Sequence, residues 1–522
     1  MLKSTTHRKV YIFFISCLAA SISLGKAPMS LSLIGLTLNW LFEIDFQLKW
    51  KKIKDQKYLP IIFSGLFLIE LFWLPFSQDF TIGLNVLRIK LPLFLLPLII
   101  GSSIGFSKKE WKIIITTFFI GILVSTSWVY LVSLEILPTK KDSGTIRDAS
   151  IFMSHIRYST LLSFSAVLVF CFAFKNVINK VLALVFFLWL FFLIFKLATI
   201  TAILGLFFAL LFLLVALLFF SQNKFKKAFT LGITSLFFLA GTYTSAIFKD
   251  FYHVKNKERS LQTHSIGGEK YQHDLQDNTT ENGYYLWENI AQKELERVWN
   301  RKSKISFNSK DKKNQPIKAS LYRYLTSKGL NKDSVGLNKL TQKEIQKIEN
   351  GETSSVSYNN FEKRIISLLY QRESRKKNSD ANNQTINQRV VFWKAGLDIF
   401  LNQPIFGHGP GGAKTQYKKY YRNQNTSLTK SNQLLAHNQF ITQAINLGAL
   451  GTILWLFVLV YSFLKVEKEI FIFLVPYLIL MFFAFMSDDM LEVQAGATIF
   501  TFFGTLLLFY NSKSLEVSQK SN

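Results

Sequence analysis

Long apolar blocks, interrupted once by a polar stretch, constrain this chain more than any other feature. Blocks of the length that crosses a bilayer, roughly 20 residues, recur through residues 9–247 and again through 436–511, with residues 248–435 between them. In lipid such blocks satisfy their backbone groups only as helices. The pattern therefore predicts an all-α polytopic membrane protein with one large, mainly helical insert. By the length criterion about twelve transmembrane helices are expected, over 9–25, 29–45, 58–77, 83–103, 111–134, 151–174, 180–196, 198–220, 228–247, 436–464, 469–487 and 492–511. The weakest boundary is Lys196–Thr201, where the polar break is minimal. The basic, then apolar start of the chain has the look of a signal peptide. A retained first helix is the better reading, because no small-x-small cleavage site follows and another apolar block begins almost at once.

Loop charge sets the expected orientation. Lys49, Lys51, Lys52, Lys54 and Lys57, then Lys108 and Lys109, Lys175 and Lys180, Lys224, Lys226 and Lys227, and Lys465 and Lys468 all fall on one side of the predicted spans. Basic residues in short loops mark the cytoplasmic side. Both termini are then cytoplasmic and the insert is extracytoplasmic. The resulting division is an N-terminal membrane domain over 1–247, the insert over 248–435, and a C-terminal membrane domain with a cytoplasmic tail over 436–522. Lysine placement explains only part of the formal net charge of +28. The insert is basic too, as a phosphate-bearing substrate on the outer side would require. Nucleic acid is the weaker partner, since no compact basic domain stands apart from the membrane helices. Cys17 and Cys171 lie inside apolar blocks, which excludes a disulfide framework or a thiolate metal site. Within the insert, amphipathic patterns predict helices over 286–299, 317–325, 340–348 and 361–370, and 372–387 reads as a linker.

Residues 388–451 concentrate the polar chemistry. Arg389 opens an amphipathic helix with Asn387 as its N-cap and Trp393 one turn on. Val391, Phe392, Ala395 and Ile399 suggest that this helix lies along the membrane surface, and Pro404 ends it. Guanidinium forms bidentate bonds to phosphate, although headgroup snorkelling accounts for Arg389 equally well. Gly407-His408-Gly409-Pro410-Gly411-Gly412 permits a tight turn and a close ligand approach; a plain turn is the stronger reading, and His408 carries no assigned role. Lys414, Lys418, Lys419 and Arg422 alternate with Tyr417, Tyr420 and Tyr421, pairing cations for phosphate with rings for sugar, or else forming an interfacial belt. His437-Asn438 then opens a membrane helix, and His437 is the natural proton acceptor. Gly448 and Gly451 would allow close helix packing.

Ionisable groups within predicted spans add candidates, since such groups are costly in lipid. His155 and Arg157 lie near the outer end of the sixth span, and Arg88 and Lys90 lie in the fourth. Asp488, Asp489 and Glu492 sit between the last two spans; a solvated turn is the favoured account, and no dedicated metal site is expected.

These landmarks, in this order, resemble the O-antigen ligase and polymerase superfamily of bacterial inner membranes. The resemblance is carried by Arg389 with Trp393, the P-I-F-G-H-G-P-G-G turn, A-H-N-Q-F, the L-G-A-L-G glycines, S-H-I-R-Y at 154–158 and D-D-M-L-E-V-Q-A-G at 488–496. It is densest over 388–451. The insert segment 320–351 is similar to inserts in some family members. One departure stands out: where the family often has serine-arginine at the start of the eighth span, this chain reads Ala198-Thr199-Ile200-Thr201, leaving Lys196 as the nearest cation. The resemblance implies a GT-C-like membrane fold and a donor of undecaprenyl pyrophosphate bearing a glycan, used without a metal, a nucleotide sugar or any other cofactor. The acceptor would be lipid A–core in a ligase, or another lipid-linked glycan in a polymerase. On this basis the expected activity is an inverting glycosyltransferase with His437 and Arg389 as catalytic residues. Arg157, His155, Arg88, Trp393, Gly409, Gly411, Tyr417, Lys418, Arg422 and Asn438 would contact substrate. A lipid-glycan transporter and a non-catalytic assembly partner are the alternatives of other classes.

Overall fold

A computed structural model describes residues 4–138, 149–174, 179–220, 224–255, 258–376, 382, 385–424, 426 and 428–510. In chain order the α-helices are α1 (Ser4–Ser21), α2 (Lys26–Phe42), α3 (Phe46–Asp55), α4 (Leu59–Trp73), α5 (Phe80–Lys90), α6 (Pro92–Ser102), α7 (Lys108–Ser133), α8 (His155–Phe174), α9 (Lys180–Leu197), α10 (Ile200–Phe220) and α11 (Lys224–Tyr252). Then come α12 (Gln292–Lys302), α13 (Ile317–Ser327), α14 (Ser334–Asn338), α15 (Gln342–Glu349), α16 (Asn360–Lys376), α17 (Thr385–Asn402), α18 (Gly412–Asn423), α19 (Gln439–Leu464), α20 (Phe471–Phe485) and α21 (Gln494–Leu508). Strands β1 (Thr280–Glu281) and β2 (Tyr284–Tyr285) form one antiparallel hairpin. Two compact units result: residues 1–141, 145–235 and 380–522 in one, and 142–144 with 236–379 in the other. Residues 511–522, read as a cytoplasmic tail, lie outside the described residues, as do Lys175 and most of the linker after residue 376.

Helix occupies every segment expected to span the membrane. Among the described residues, eight helical stretches are long and apolar enough to cross, or nine if α2 and α3, bent by 107°, form one span. α1 and α21 fall short of that criterion: polar residues fill the first turns of α1, and α21 has only 15 residues. α8 is the most enclosed, with 83% of its span buried. Its Phe164 packs edge-on against Tyr477 of α20 and Phe503 of α21. This central position fixes where the first turn of α8, which carries His155 and Arg157, can lie.

α17 is apolar on two sides. Phe392, Ala395 and Ile399 are buried against Ala413, Tyr417 and Ile445, so the apolar face expected to meet the membrane is instead packed on α18 and α19. Val390, Leu397 and Leu401 stay exposed on the other side. The helix begins at Thr385, two residues before the expected cap Asn387, which is buried within it. The glycine turn that follows plugs a break in α19. Gly448 takes φ +63 there, and the helix loses its ladder on both sides. The released carbonyls of Ile445 and Asn446 accept from His408 and Gly409 at 2.9 and 2.8 Å, and the released amides of Ala449 and Leu450 donate to Pro404 and Ile405 at 2.7 and 3.2 Å. Each orphaned backbone group thus regains a partner, as burial demands. A Cβ on Gly448 would stand 2.2 Å from the Ile405 carbonyl oxygen.

The second unit has its own core of Leu295, Trp299, Ile317, Leu321, Leu325, Leu337, Ile345 and Ile348. The helix expected over 286–299 starts later, at Gln292, because residues 284–290 form β2 and the bridges that follow it. α13 covers its expected range, while α15 begins two residues late and is closed by a Thr341–Glu344 capping box. Lys332 is 3% exposed. Its Nζ donates to the carbonyls of Tyr285 and Glu288 at 3.2 and 3.1 Å. Burial pushes this amine down to about 8, with Glu288 opposing.

Two expectations follow. Gly448→Ala should lower the unfolding midpoint by the equivalent of at least about 1–2 kcal/mol, the left-handed penalty alone, because backbone occupies the Cβ position; an unchanged midpoint would show that α19 is continuous. For Lys332, the fold favours the neutral amine, so stability is gained as pH rises from about 8 toward the ordinary 10.5 and is lost below. The difference is about 3 kcal/mol. Amide protection factors in 286–348, corrected for base-catalysed intrinsic exchange, should rise over that window and show no such slope in Lys332→Met.

Candidate active site

The turn between α20 and α21 organises the polar residues of the first unit. Asp489, 5% exposed, accepts from the His437 amide at 3.1 Å, the Asn438 amide at 3.3 Å and the Thr442 hydroxyl at 2.6 Å. Asn438 caps α19, its Oδ1 accepting from Phe440 and Ile441 at 3.0 and 3.2 Å. Between these restraints His437 is held at φ +46, a region that non-glycine residues occupy at a cost. Burial pushes the Asp489 carboxyl above its ordinary range, and the Thr442 hydrogen bond and His437 pull the other way.

Asp488, one residue earlier, faces different partners. Arg157 Nε lies 2.6 Å from Oδ2, and Nη2 donates to Oδ1 at 3.1 Å. His437 Nδ1 is 3.9 Å from the same Oδ1. Arg389 Nη2 donates to the Ser487 carbonyl at 2.8 Å. Burial draws the Arg389 guanidinium below its ordinary value, against the attraction of Asp488 and Asp489. Arg157, Arg389 and His437, far apart in sequence, are thus gathered on Ser487–Asp489. The solvated turn expected at Asp488 and Asp489 is not observed: both are buried, at 4% and 5% exposure, because Arg157 pairs with Asp488 and three donors at the start of α19 reach Asp489.

The remaining candidates divide. Trp393 donates from Nε1 to the Ala436 carbonyl at 3.0 Å, bracing the residue before His437. Tyr417 is buried and its hydroxyl donates to the Phe392 carbonyl at 2.7 Å. Gly409 and Gly411, at φ +74 and +78, press against Ser77 and Ile82. Lys418 and Arg422 are exposed on α18. Arg88 lines a separate cavity of about 470 Å³ with Ser30, Thr37 and Gln494 among mostly apolar neighbours. His155 sits two residues before Arg157 at the start of α8. Lys196 donates to Ser133 at 2.7 Å, whereas Thr199 accepts from Ser159 at 3.1 Å; the lysine and the Thr199 position therefore have different partners.

Sequence reading missed one residue. Glu70, in α4, is fully buried and accepts from Lys90 Nζ at 2.9 and 2.8 Å and from Gln443 at 3.0 Å. Lys90 also reaches Glu492 at 2.5 Å. Gln439 then joins Gln443 to the amide of Leu491. A lone carboxylate inside an apolar run, as in Leu68-Ile69-Glu70-Leu71, was the available signal.

Fold and site together define a multi-pass helical membrane protein whose polar centre lies at helix ends and combines two arginines, a histidine and two buried aspartates. Residues 345–456 match the family described as O-Antigen ligase, a match that supports the O-antigen ligase and polymerase superfamily. No curated protein matches it. The matched segment contains Arg389 and His437; the fold adds Arg157 and the aspartates from outside it.

Breaking a buried ion pair on one side costs about 3–5 kcal/mol. Asp488→Ala should lose about that much stability, and Arg157→Met added to it should recover part. Strict additivity in a double-mutant cycle would show that the pair does not exist.

Proposed function

We propose that the protein is an inverting glycosyltransferase that moves a glycan from undecaprenyl pyrophosphate to an acceptor hydroxyl, and that lipid A–core is the acceptor. The convergence of Arg157, Arg389 and His437 carries this reading. Each guanidinium is anchored by part of its donor set: Asp488 takes Nε and Nη2 of Arg157, and Ser487 takes Nη2 of Arg389. The other N–H groups can meet pyrophosphate oxygens, stabilising the charge that develops on the departing group. The acceptor hydroxyl attacks the anomeric carbon from the face opposite the phosphate. The new C–O bond forms as the bond to pyrophosphate breaks, the configuration inverts, and His437 takes the hydroxyl proton. His437 is partly exposed, and its Nδ1 lies 3.9 Å from Asp488 Oδ1.

In the same reading both termini are cytoplasmic, the site opens on the periplasmic side of the inner membrane, and no metal takes part. Arg88 and its apolar cavity suit the lipid part of the donor, and Lys418 and Arg422 suit its anionic glycan. A polymerase would use the same groups, with a second lipid-linked glycan as acceptor.

Purified His437→Ala should bind lipid-linked donor like the wild type and lose transfer by about 10²-fold or more; full activity would remove its assigned role. A deletion strain separates the acceptors. Uncapped core with accumulated lipid-linked polymer indicates ligation, and caps of a single repeat indicate polymerisation.

A further inference from the structure

The second unit holds a cavity of its own, about 190 Å³ in volume, whose lining includes Arg259, Tyr284, Tyr285, Glu288, Asn331 and Lys332. We infer that this cleft is a binding site for a single sugar ring of a glycan. The inference rests on the proposed function for its ligand class, and on the cleft's chemistry for everything else.

Size comes first. Pockets for drug-sized ligands run to roughly 300–1,000 Å³, so this one takes one ring and not a chain segment. Each of its two aromatic rings packs on a neighbour that also lines the cleft. Arg259 Cζ lies 4.3 Å from the centroid of Tyr285. Tyr284 lies against Gly329, which has φ +67 and whose Cβ would stand 2.9 Å from Cζ of that ring. Rings held in this way offer apolar area at little entropic cost, which suits the C–H face of a pyranose.

Charge then separates a sugar from an anion. Arg259 spends Nη1 on the Leu275 carbonyl, Nη2 on Asn278, and lies 3.2 Å from Glu288 Oε1 through Nε. Lys332 gives two N–H groups to carbonyls and has Glu288 close by. Glu258 lines the cleft as well, so two cations stand against two carboxylates and the cleft has no surplus positive charge for a phosphate. Hydrogen-bonding capacity remains. Glu288 Oε1 is buried and accepts no well-formed hydrogen bond among the described residues, and an ammonium has three N–H donors. A buried acceptor beside a buried donor matches adjacent hydroxyls on a ring, which give and accept in turn.

The test is an array of defined mono- and oligosaccharides probed with full-length protein in detergent, alongside inorganic phosphate as a soluble competitor. Wild type should bind a subset of glycans, and phosphate should not compete. Tyr285→Ala should weaken binding about tenfold, equivalent to about 1.4 kcal/mol, and Tyr285→Phe should retain it. Glu288→Gln, which preserves shape, provides a second variant if Tyr285→Ala fails to fold, and it too should weaken binding. Absent glycan binding, binding untouched by either cleft variant, or displacement by phosphate would each overturn the inference. If transfer persists while glycan binding is absent, only this inference fails. If glycan binding follows the cleft variants but no transfer occurs, the inference holds and the proposed function fails.

Discussion

Asp489 is the residue on which the geometry of the centre depends. A buried carboxylate is tolerated only when its oxygens are satisfied. Here the donors are two consecutive backbone amides and a threonine hydroxyl, all at the start of α19. Those bonds hold His437 in a backbone conformation it would not choose. The strain is small beside the cost of leaving the carboxylate unpaired, so the histidine stays where the N-terminus of α19 needs it. Asp488 points to other partners and gathers Arg157. Two adjacent acids thus do different work, one through backbone and one through side chains.

This arrangement also explains why the catalytic candidates sit at helix ends. Within lipid, only a helix interior satisfies the backbone cheaply. Irregular segments such as 404–411 and 486–493 need internal partners for every amide and carbonyl. The glycine turn finds them in the break of α19 at Gly448, and the acidic turn finds them at the mouth of the same helix. α19 therefore receives two irregular segments within three turns. The turn's glycines are required first by this backbone packing, whatever else they contact.

Much of this was legible in sequence. The apolar blocks marked the long apolar helices of the membrane unit, because length and hydropathy are local properties; α3, whose lysines read as a short loop, escaped them. Arg157 stood out as an ionisable group inside a span, Arg389 at the head of the surface helix and His437 at the mouth of a membrane helix. What the sequence could not reveal was pairing across distance. Asp488 and Asp489 look like a solvated turn because two acids between two spans usually meet water; only the fold supplies the arginine and the three donors that bury them. Glu70 vanished into its apolar run for the same reason, since Lys90 and Gln443 reach it from α5 and α19, and Lys90 in turn meets Glu492 of the acidic turn. Tyr417 and Trp393 carry polar handles that suggest a ligand, yet the observed partners are backbone carbonyls. Aromatic residues with a hydrogen-bonding tip serve either role, and sequence has no means of telling which.

Charge within the connected network sets a final condition on the proposed reaction. Arg157, Arg389 and Lys90 face Asp488, Asp489, Glu70 and Glu492, three cations against four carboxylates. With every group ionised and His437 neutral, the centre is negative before any donor arrives. A pyrophosphate entering such a site meets net repulsion unless a carboxylate is protonated or gives way. Burial already favours the protonated form of Asp489. The proton that His437 takes from the acceptor thus has a second consequence. It arrives as negative charge leaves the anomeric carbon on the pyrophosphate, so the centre gains a cation at the step where it must hold an anion.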